Sequence, residues 1–324
     1  MPETDDAASE TYSFLGPAGT FTEAALAQVD AAKGKPWRSV NNVGEALDDV
    51  VAGRSTAAMI AIENSIEGGV SVAQDALATI PDLRIVGEYL VPVSFVLVAR
   101  PGTTLADVKT IAAHPVAYAQ CHAWLNAHIP SHAHIPASSN VQAAASLLET
   151  DGSGRPVTDA DAAIAPPTIL DHHDLEILAD GIIDNPNAVT RFALVSKTRA
   201  IPAPTGADKT SLIAELPADR AGALVELLEQ FSTRGVNLSL IESRPIGDAL
   251  GRYRFVMDAD GHVLEERIAD ALLGVHRFSP NVIFLGSYPR ADRTPVSYDP
   301  RYADDVFVEA RDWLRGLLSE EPTD

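Results

Sequence analysis

Cysteine is nearly absent from this chain of 324 residues: Cys121 stands alone, so no internal disulfide can brace the fold. Positive charge is also scarce, with 24 Lys and Arg against 45 Asp and Glu and a formal net charge of −21. Nucleic-acid binding and docking on an anionic membrane both need a basic face, so neither partner is expected. No stretch is long and apolar enough to span a bilayer, and the acidic start Met1-Pro2-Glu3-Thr4-Asp5-Asp6 lacks the apolar core of a secretory signal. A cytoplasmic location is the expectation. Metal-ligand patterns are thin as well: Asp171-His172-His173-Asp174 and His132-Ala133-His134 each lack a second ligand pair, so no metal and no other cofactor is expected.

What the chain does have is an ordinary globular composition, 46% hydrophobic and 21% charged, over a length that suits two or three domains. Both ends are acidic. Residues 1–10 hold four acids and no base and read as a solvated tail. Residues 304–318 differ, because Val306, Phe307, Ala310, Trp313, Leu314 and Leu317 recur at helical spacing, which predicts a helix that packs on something.

The first half alternates short apolar runs with helix-period segments, the pattern of an α/β domain. Residues 12–15 and 57–62 read as strands, and 20–29 as a helix reached through Gly16-Pro17-Ala18-Gly19. A further helix starts near Val70, after the loop Glu63-Asn64-Ser65-Ile66-Glu67-Gly68-Gly69. The run 90–99 is apolar apart from Pro92 and Ser94 and should be buried on both faces. Helices at 118–127 and 140–149 repeat the alternation, and 189–196 returns as a second buried strand. Two α/β units joined by two long strands imply two lobes with a cleft. After the linker Ile201-Pro202-Ala203-Pro204-Thr205-Gly206, strands at 210–215, 238–242, 253–258 and 282–288 with helices at 221–233 and 263–273 spell βαββαβ, a ferredoxin-like unit.

Two strand-loop-helix junctions, 16–20 and 63–70, could each offer backbone N–H groups to an anion, although neither matches a dinucleotide or P-loop fingerprint. At the first, a tight turn with Thr20 as helix cap is an equally good reading. His114 lies at a strand end before Pro115 and reads as structural or as a site residue; Cys121 reads as a small buried hydrophobe. Thr190-Arg191-Phe192 opens the returning strand, and local reasoning assigns it nothing more.

Taken together, Gly16-Pro17-Ala18-Gly19-Thr20-Phe21-Thr22-Glu23, Glu63-Asn64-Ser65-Ile66-Glu67-Gly68-Gly69-Val70, His114-Pro115 with Gln120-Cys121, and Thr190-Arg191-Phe192 resemble the monofunctional prephenate dehydratases, in order over residues 11–288. Gly222-Ala223-Leu224-Val225 and Ile241-Glu242-Ser243-Arg244-Pro245 resemble the phenylalanine-binding motifs of the ACT domain found in that family. The resemblance implies a catalytic domain at 11–200, with lobes 11–95 plus 189–200 and 96–188, arranged like a type II periplasmic binding protein. It implies an ACT regulatory domain at 207–290; the acidic tail with its amphipathic helix, 291–324, lies outside the match, and with only about ten residues before Tyr12 no chorismate mutase domain is expected there.

By the same resemblance, Thr190, Glu63 and Arg191 carry the catalysis. Thr20, Asn64, Ser65, His114, Gln120, Ser139 and Phe192 bind substrate. Gly222, Ala223, Leu224, Asn237, Leu238, Glu242, Ser243 and Arg244 bind phenylalanine as allosteric inhibitor, which implies a homodimer or homotetramer. The family often has Ser where this chain has Ala113, and Ser-Thr where it has Ser139-Asn140. The implied reaction takes prephenate to phenylpyruvate, CO2 and water. Thr190 is expected to give a positioned hydrogen bond to the departing hydroxyl, with Glu63 or His114 as alternative proton sources. Arg191 either grips the pyruvyl carboxylate or braces its strand. Two other readings stand beside this one: an enzyme for arogenate, and a non-catalytic amino-acid sensor.

Overall fold

A computed structural model describes residues 10–247 and 251–319. The chain first lays down β1 (Tyr12–Leu15), α1 (Phe21–Leu26), β2 (Trp37–Val40), α2 (Val43–Val51), β3 (Ala57–Asn64), β4 (Gly68–Gly69), α3 (Ser71–Thr79) and β5 (Arg84–Pro92). It then builds β6 (Val96–Ala99), β7 (Thr110–Ala113), α4 (Pro115–Gln120), α5 (His122–His128), β8 (Ala133–Pro136), α6 (Asn140–Ser146), β9 (Ala162–Ala165) and β10 (Glu176–Ala179), and returns as β11 (Val189–Ser196). The C-terminal part holds β12 (Asp208–Glu215), α7 (Ala223–Ser232), β13 (Leu238–Pro245), β14 (Tyr253–Asp260), α8 (Glu266–Phe278), β15 (Val282–Pro289) and α9 (Asp304–Ser319). This is a mixed α/β fold.

The strands form three sheets among the described residues. The first runs β2-β1-β3-β11-β5, with β4 folded back on β3. The second runs β10-β6-β9-β7-β8. β6 shows why the apolar run is continuous: Val96 and Val98 face one apolar cluster, while Leu97 and Ala99 face another on the opposite side. A strand buried on both faces has no reason to alternate. The expected single run 90–99 is nevertheless broken, since β5 ends at Pro92 and β6 starts at Val96. Proline has no N–H for a ladder, and here the chain leaves the first sheet for the second. The outgoing and returning crossings meet where Val93 N–H donates to Ala188 C=O at 2.8 Å.

The described residues group into two compact units. One comprises those up to Ala73 together with Tyr89–Leu194; the other comprises Gln74–Glu88 and those from Val195 onward. In the second unit the sheet β13-β14-β12-β15 is antiparallel throughout, the βαββαβ order read from the sequence. One face packs Leu212, Ala214, Phe255 and Met257 against Leu227 and Phe231 of α7 and Ile268, Ala271 and Val275 of α8. Residues 74–88 pack on the sheet as well: Lys209 pairs with Glu88 at 2.9 Å, Arg84 lies over the Phe284 ring, and a side chain at Gly286 would strike the Ile85 carbonyl.

Several boundaries differ from the sequence expectation. The helix expected at 118–127 is two helices, broken at Cys121, because the Asp184 carboxylate accepts from Ala123 and Trp124 N–H and so caps a new helix start. The helix expected at 263–273 is α8 at Glu266–Phe278: the His262 N–H is held by Glu265, which keeps 262–265 in a turn, and the helix ends at Ser279 ahead of Pro280. The tail helix forms as expected, and its first half meets the start of α8. Asp304 accepts from Glu266 N–H and Arg311 pairs with Glu266, while Trp313, Leu314 and Leu317 are exposed. The acidic residues 1–9 lie outside the described part of the chain. No helix among the described residues is long and apolar enough to cross a membrane.

Candidate active site

β3 continues two residues beyond the apolar run read from the sequence and ends in Glu63 and Asn64, beside the start of β11, its neighbour in the sheet. There Asn64 Nδ2 donates to Thr190 Oγ1 at 3.0 Å, and Arg191 Nε donates to Glu63 Oε2 at 2.8 Å. Thr190 and Arg191 are buried. The Asn64 amide has a determined orientation, because its Oδ1 accepts from the N–H groups of Ile66 at 2.9 Å and Glu67 at 3.4 Å. Nδ2 must therefore be the group that meets Thr190. A hydroxyl that accepts from an amide keeps its own proton to donate. Ser65 closes the group: its Oγ accepts from Val189 N–H, and its N–H donates to Val189 C=O. Phe192, 2% exposed, packs in the core.

A second set of expected residues lines a cleft of about 850 Å3, within the size range of small-molecule sites. Thr20, His114 and Ser139 all lie on it. His114 caps α4, with Nδ1 accepting from Val116 N–H at 3.3 Å. In the neutral ring this leaves the proton on Nε2. Ser139 and Asn140 have divided the work: Ser139 Oγ caps α6, and Asn140 Oδ1 accepts from His114 N–H at 2.8 Å. Glu63, Asn64, Thr190 and Arg191 are not among the residues lining this cleft. Gln120 ends α4 with a buried Oε1 that has no hydrogen-bond partner among the described residues.

The anion reading of the two junctions needs correction. Gly19 N–H is taken by the Glu23 carboxylate, and Thr20 Oγ1 accepts from Glu23 N–H, so the first junction is a capped turn. At the second, the Ile66 and Glu67 N–H groups are taken by Asn64. A Cβ at Gly16 would meet Ser39 Oγ at 1.7 Å, which a turn of the serine side chain relieves, and Ser39 Cβ at 3.0 Å, so the approach is close.

Sequence reading missed the residues that bind the turn before α1 to the segment 168–172. Thr168 Oγ1 donates to Gly19 C=O at 2.7 Å, and His172 Nε2 meets Glu23 Oε2 at 3.1 Å. His172 and His173 also line the cleft. The Asp171–Asp174 run was the available signal, although its spacing spoke only to metals. Among the described residues no group of three or more His, Cys, Asp or Glu gathers as a metal site. His132 and His134 serve Tyr118 instead, one bonded to its hydroxyl at 2.9 Å and the other stacked on its ring at 3.9 Å. Burial pushes the Cys121 thiol up to about 12, with Asp184 adding to the effect, which removes it as a thiolate nucleophile.

Of the expected effector residues, Gly222 starts α7 in the left-handed region at φ 85°, Ala223 is buried and Leu224 is exposed. Asn237 Nδ2 donates to Asp260 at 2.7 Å, and Leu238, half-buried, begins β13. Along β13, Ser243 is exposed, whereas Glu242 and Arg244 are half-buried and engage Gln74 and Asp75 of α3.

Residues 12–200 match the family described as prephenate dehydratase. The prephenate dehydratase of Mycobacterium tuberculosis is 40% identical over 323 residues, covering 96% of this chain and 94% of that protein. A solved prephenate dehydratase from Arthrobacter aurescens, in complex with L-Phe, is 51% identical over 96% of this chain and all of that one, with a TM-score of 0.90. A third structure, described as GqqA, a quorum-quenching acylase, is 30% identical over 86% of this chain and 98% of its own, with a TM-score of 0.75. With the family match spanning more than half its length, the chain belongs to the prephenate dehydratase family.

Proposed function

We propose that the chain is a carbon-oxygen lyase that takes prephenate to phenylpyruvate, CO2 and water for phenylalanine biosynthesis, using residues 11–200 as a type II periplasmic-binding-protein-like catalytic domain. The observation that carries the chemistry is the Asn64 to Thr190 hydrogen bond at 3.0 Å. Aromatisation drives the reaction, so the enzyme's task is to help hydroxide leave. An alcohol is a weak acid near neutrality, and Thr190 acts by a hydrogen bond aimed at the leaving oxygen. Asn64 fills an acceptor site of Thr190 Oγ1 and so directs its O–H outward.

Glu63 accepts from Arg191, and His114 Nδ1 accepts from Val116 N–H, so the neutral His114 can offer a leaving oxygen a hydrogen bond through Nε2 and would have to be protonated on both nitrogens to transfer a proton. A cation on the departing carboxylate would hold its charge in the ground state and oppose decarboxylation. Arg191, already committed through Nε to Glu63, braces β11 and directs Glu63. Thr20, Ser65, Gln120 and Ser139 supply polar contacts to the substrate, and Phe192 supports the site from the core. No cofactor enters.

The 207–290 unit is read as an ACT domain that binds L-phenylalanine through Gly222 to Leu224 of one subunit and Asn237 and Leu238 of another, in a cytoplasmic homodimer or homotetramer, with 291–324 as its tail. The L-Phe complex of the 51% identical relative supports this reading. Purified protein should form phenylpyruvate from prephenate faster than it turns over arogenate, and L-phenylalanine should slow it. Absence of turnover with either substrate would leave the amino-acid sensor as the reading.

A further inference from the structure

α3 begins one residue past β4, and β4 pairs Gly69 with Glu63 and Gly68 with Asn64. Its first turn therefore follows directly on the backbone that holds Thr190's partner. One turn later, Gln74 and Asp75 meet the C-terminal sheet. Gln74 Nε2 donates to Glu242 Oε2 at 2.6 Å. Asp75 accepts from two guanidiniums, Arg244 Nη2 at 2.7 Å and Arg254 Nη2 at 2.7 Å.

Two buried atoms of this cluster have no hydrogen-bond partner among the described residues, Gln74 Oε1 and Arg254 Nε, on residues only 2% and 8% exposed. A buried unpaired polar atom costs about 1–3 kcal/mol. One is an acceptor and the other a donor, so each can still take a partner, and the cluster that joins α3 to β13 and β14 is not fully satisfied as it stands.

We propose that Gln74 and Asp75 are positioning residues through which the Glu242–Arg244 stretch of β13 sets the Glu63-Asn64 end of β3, and thereby the Thr190 hydroxyl. The inference rests on the proposed phenylalanine control and names its route. Hydrogen bonding from Arg244, reinforced by Arg254, holds the Asp75 carboxyl below its usual range against the opposing effect of burial, so the link is an ionic one. Neither residue touches substrate or effector; each acts on the site through α3.

The test uses the full-length chain with Asp75→Asn and Gln74→Leu, prephenate turnover with and without saturating L-phenylalanine, and calorimetric L-phenylalanine affinity. Both variants should turn over prephenate within about threefold of wild type when uninhibited and bind L-phenylalanine with near-wild-type affinity. Their ratio of free to inhibited rate should fall at least about fivefold, the low end of typical coupling. Reciprocity adds a readout that a purely structural role would not move: a non-reacting prephenate analogue should shift L-phenylalanine affinity in wild type and no longer in the variants. Asp75→Glu should restore part of the ratio. A wild-type ratio in the folded variants overturns the route, and so does loss of L-phenylalanine binding itself. If Asp75→Asn does not fold, Gln74→Leu decides alone by the same ratio. A wild type that ignores L-phenylalanine removes the regulatory reading first, a failure distinct from failure of the route.

Discussion

Thr190→Ala tests the chemistry most directly, and the structure sets both of its costs. The hydroxyl is buried at the β3–β11 seam and is an acceptor for Asn64 Nδ2 at 3.0 Å. Its removal leaves the Asn64 N–H without its acceptor and, on the proposed mechanism, withdraws the hydrogen bond to the leaving hydroxyl. The loss of acid assistance is worth up to about 10²- to 10⁴-fold, and a single positioned hydrogen bond should cost at least about tenfold. Because that bond strengthens as the C–O bond breaks, kcat and kcat/KM should fall together. On the stability side, the lost methyl costs about 0.8 kcal/mol and the unpaired amide about 1–3 kcal/mol. For a unit of this size each kcal/mol lowers Tm by about 2–4 °C, so the variant stays folded at 25 °C. The assay is initial-rate phenylpyruvate formation alongside a melting curve. Thr190→Ser, which keeps the hydroxyl, should recover most of the rate. A folded Thr190→Ala enzyme within twofold of wild-type kcat would remove the hydroxyl from the mechanism.

Glu63→Gln should lower turnover about tenfold or more and reduce Tm, because it removes a carboxylate charge from beside a guanidinium only 6% exposed; an unchanged rate would show that the ion pair is dispensable. Cys121 should resist a water-soluble thiol reagent at neutral pH and react within minutes once denatured, since burial pushes its thiol up to about 12; fast labelling of the folded protein counts against the buried placement. Gly222→Val should weaken L-phenylalanine binding in calorimetry and cost about 1–3 kcal/mol, because a β-branched residue is forced to φ 85°. The Asp75 carboxyl is held low when folded, so its ion pair contributes stability above the unfolded pKa of about 4 and loses it as pH falls through the folded value. Asp75→Asn and wild type should accordingly converge in stability as pH falls below the unfolded pKa of about 4 and on through the lower folded value, and a constant gap between them would contradict the ionic link. Deleting residues from Asp304 onward should change oligomer size in chromatography, since Trp313, Leu314 and Leu317 are exposed in the single chain; identical size and Tm would make α9 dispensable.

The sequence alone determined the α/β alternation, the βαββαβ order and the motifs that mark the family, because each rests on local facts: apolar period, turn residues and short fixed strings. It also determined that Cys121 could not be half of an internal disulfide. Tertiary structure decided what those strings do. Gly16-Pro17-Ala18-Gly19 looked like an anion turn until Glu23 was seen to occupy its N–H, and 118–127 looked like one helix until Asp184, some sixty residues away, supplied a cap at its middle. The pairing of Asn64 with Thr190 spans 126 positions, and that of Asp75 with Arg244 spans 169. Such contacts leave no periodic trace in a single chain. They arise only when β11 inserts between β3 and β5, and when residues 74–88 pack on a sheet whose strands begin more than a hundred positions later.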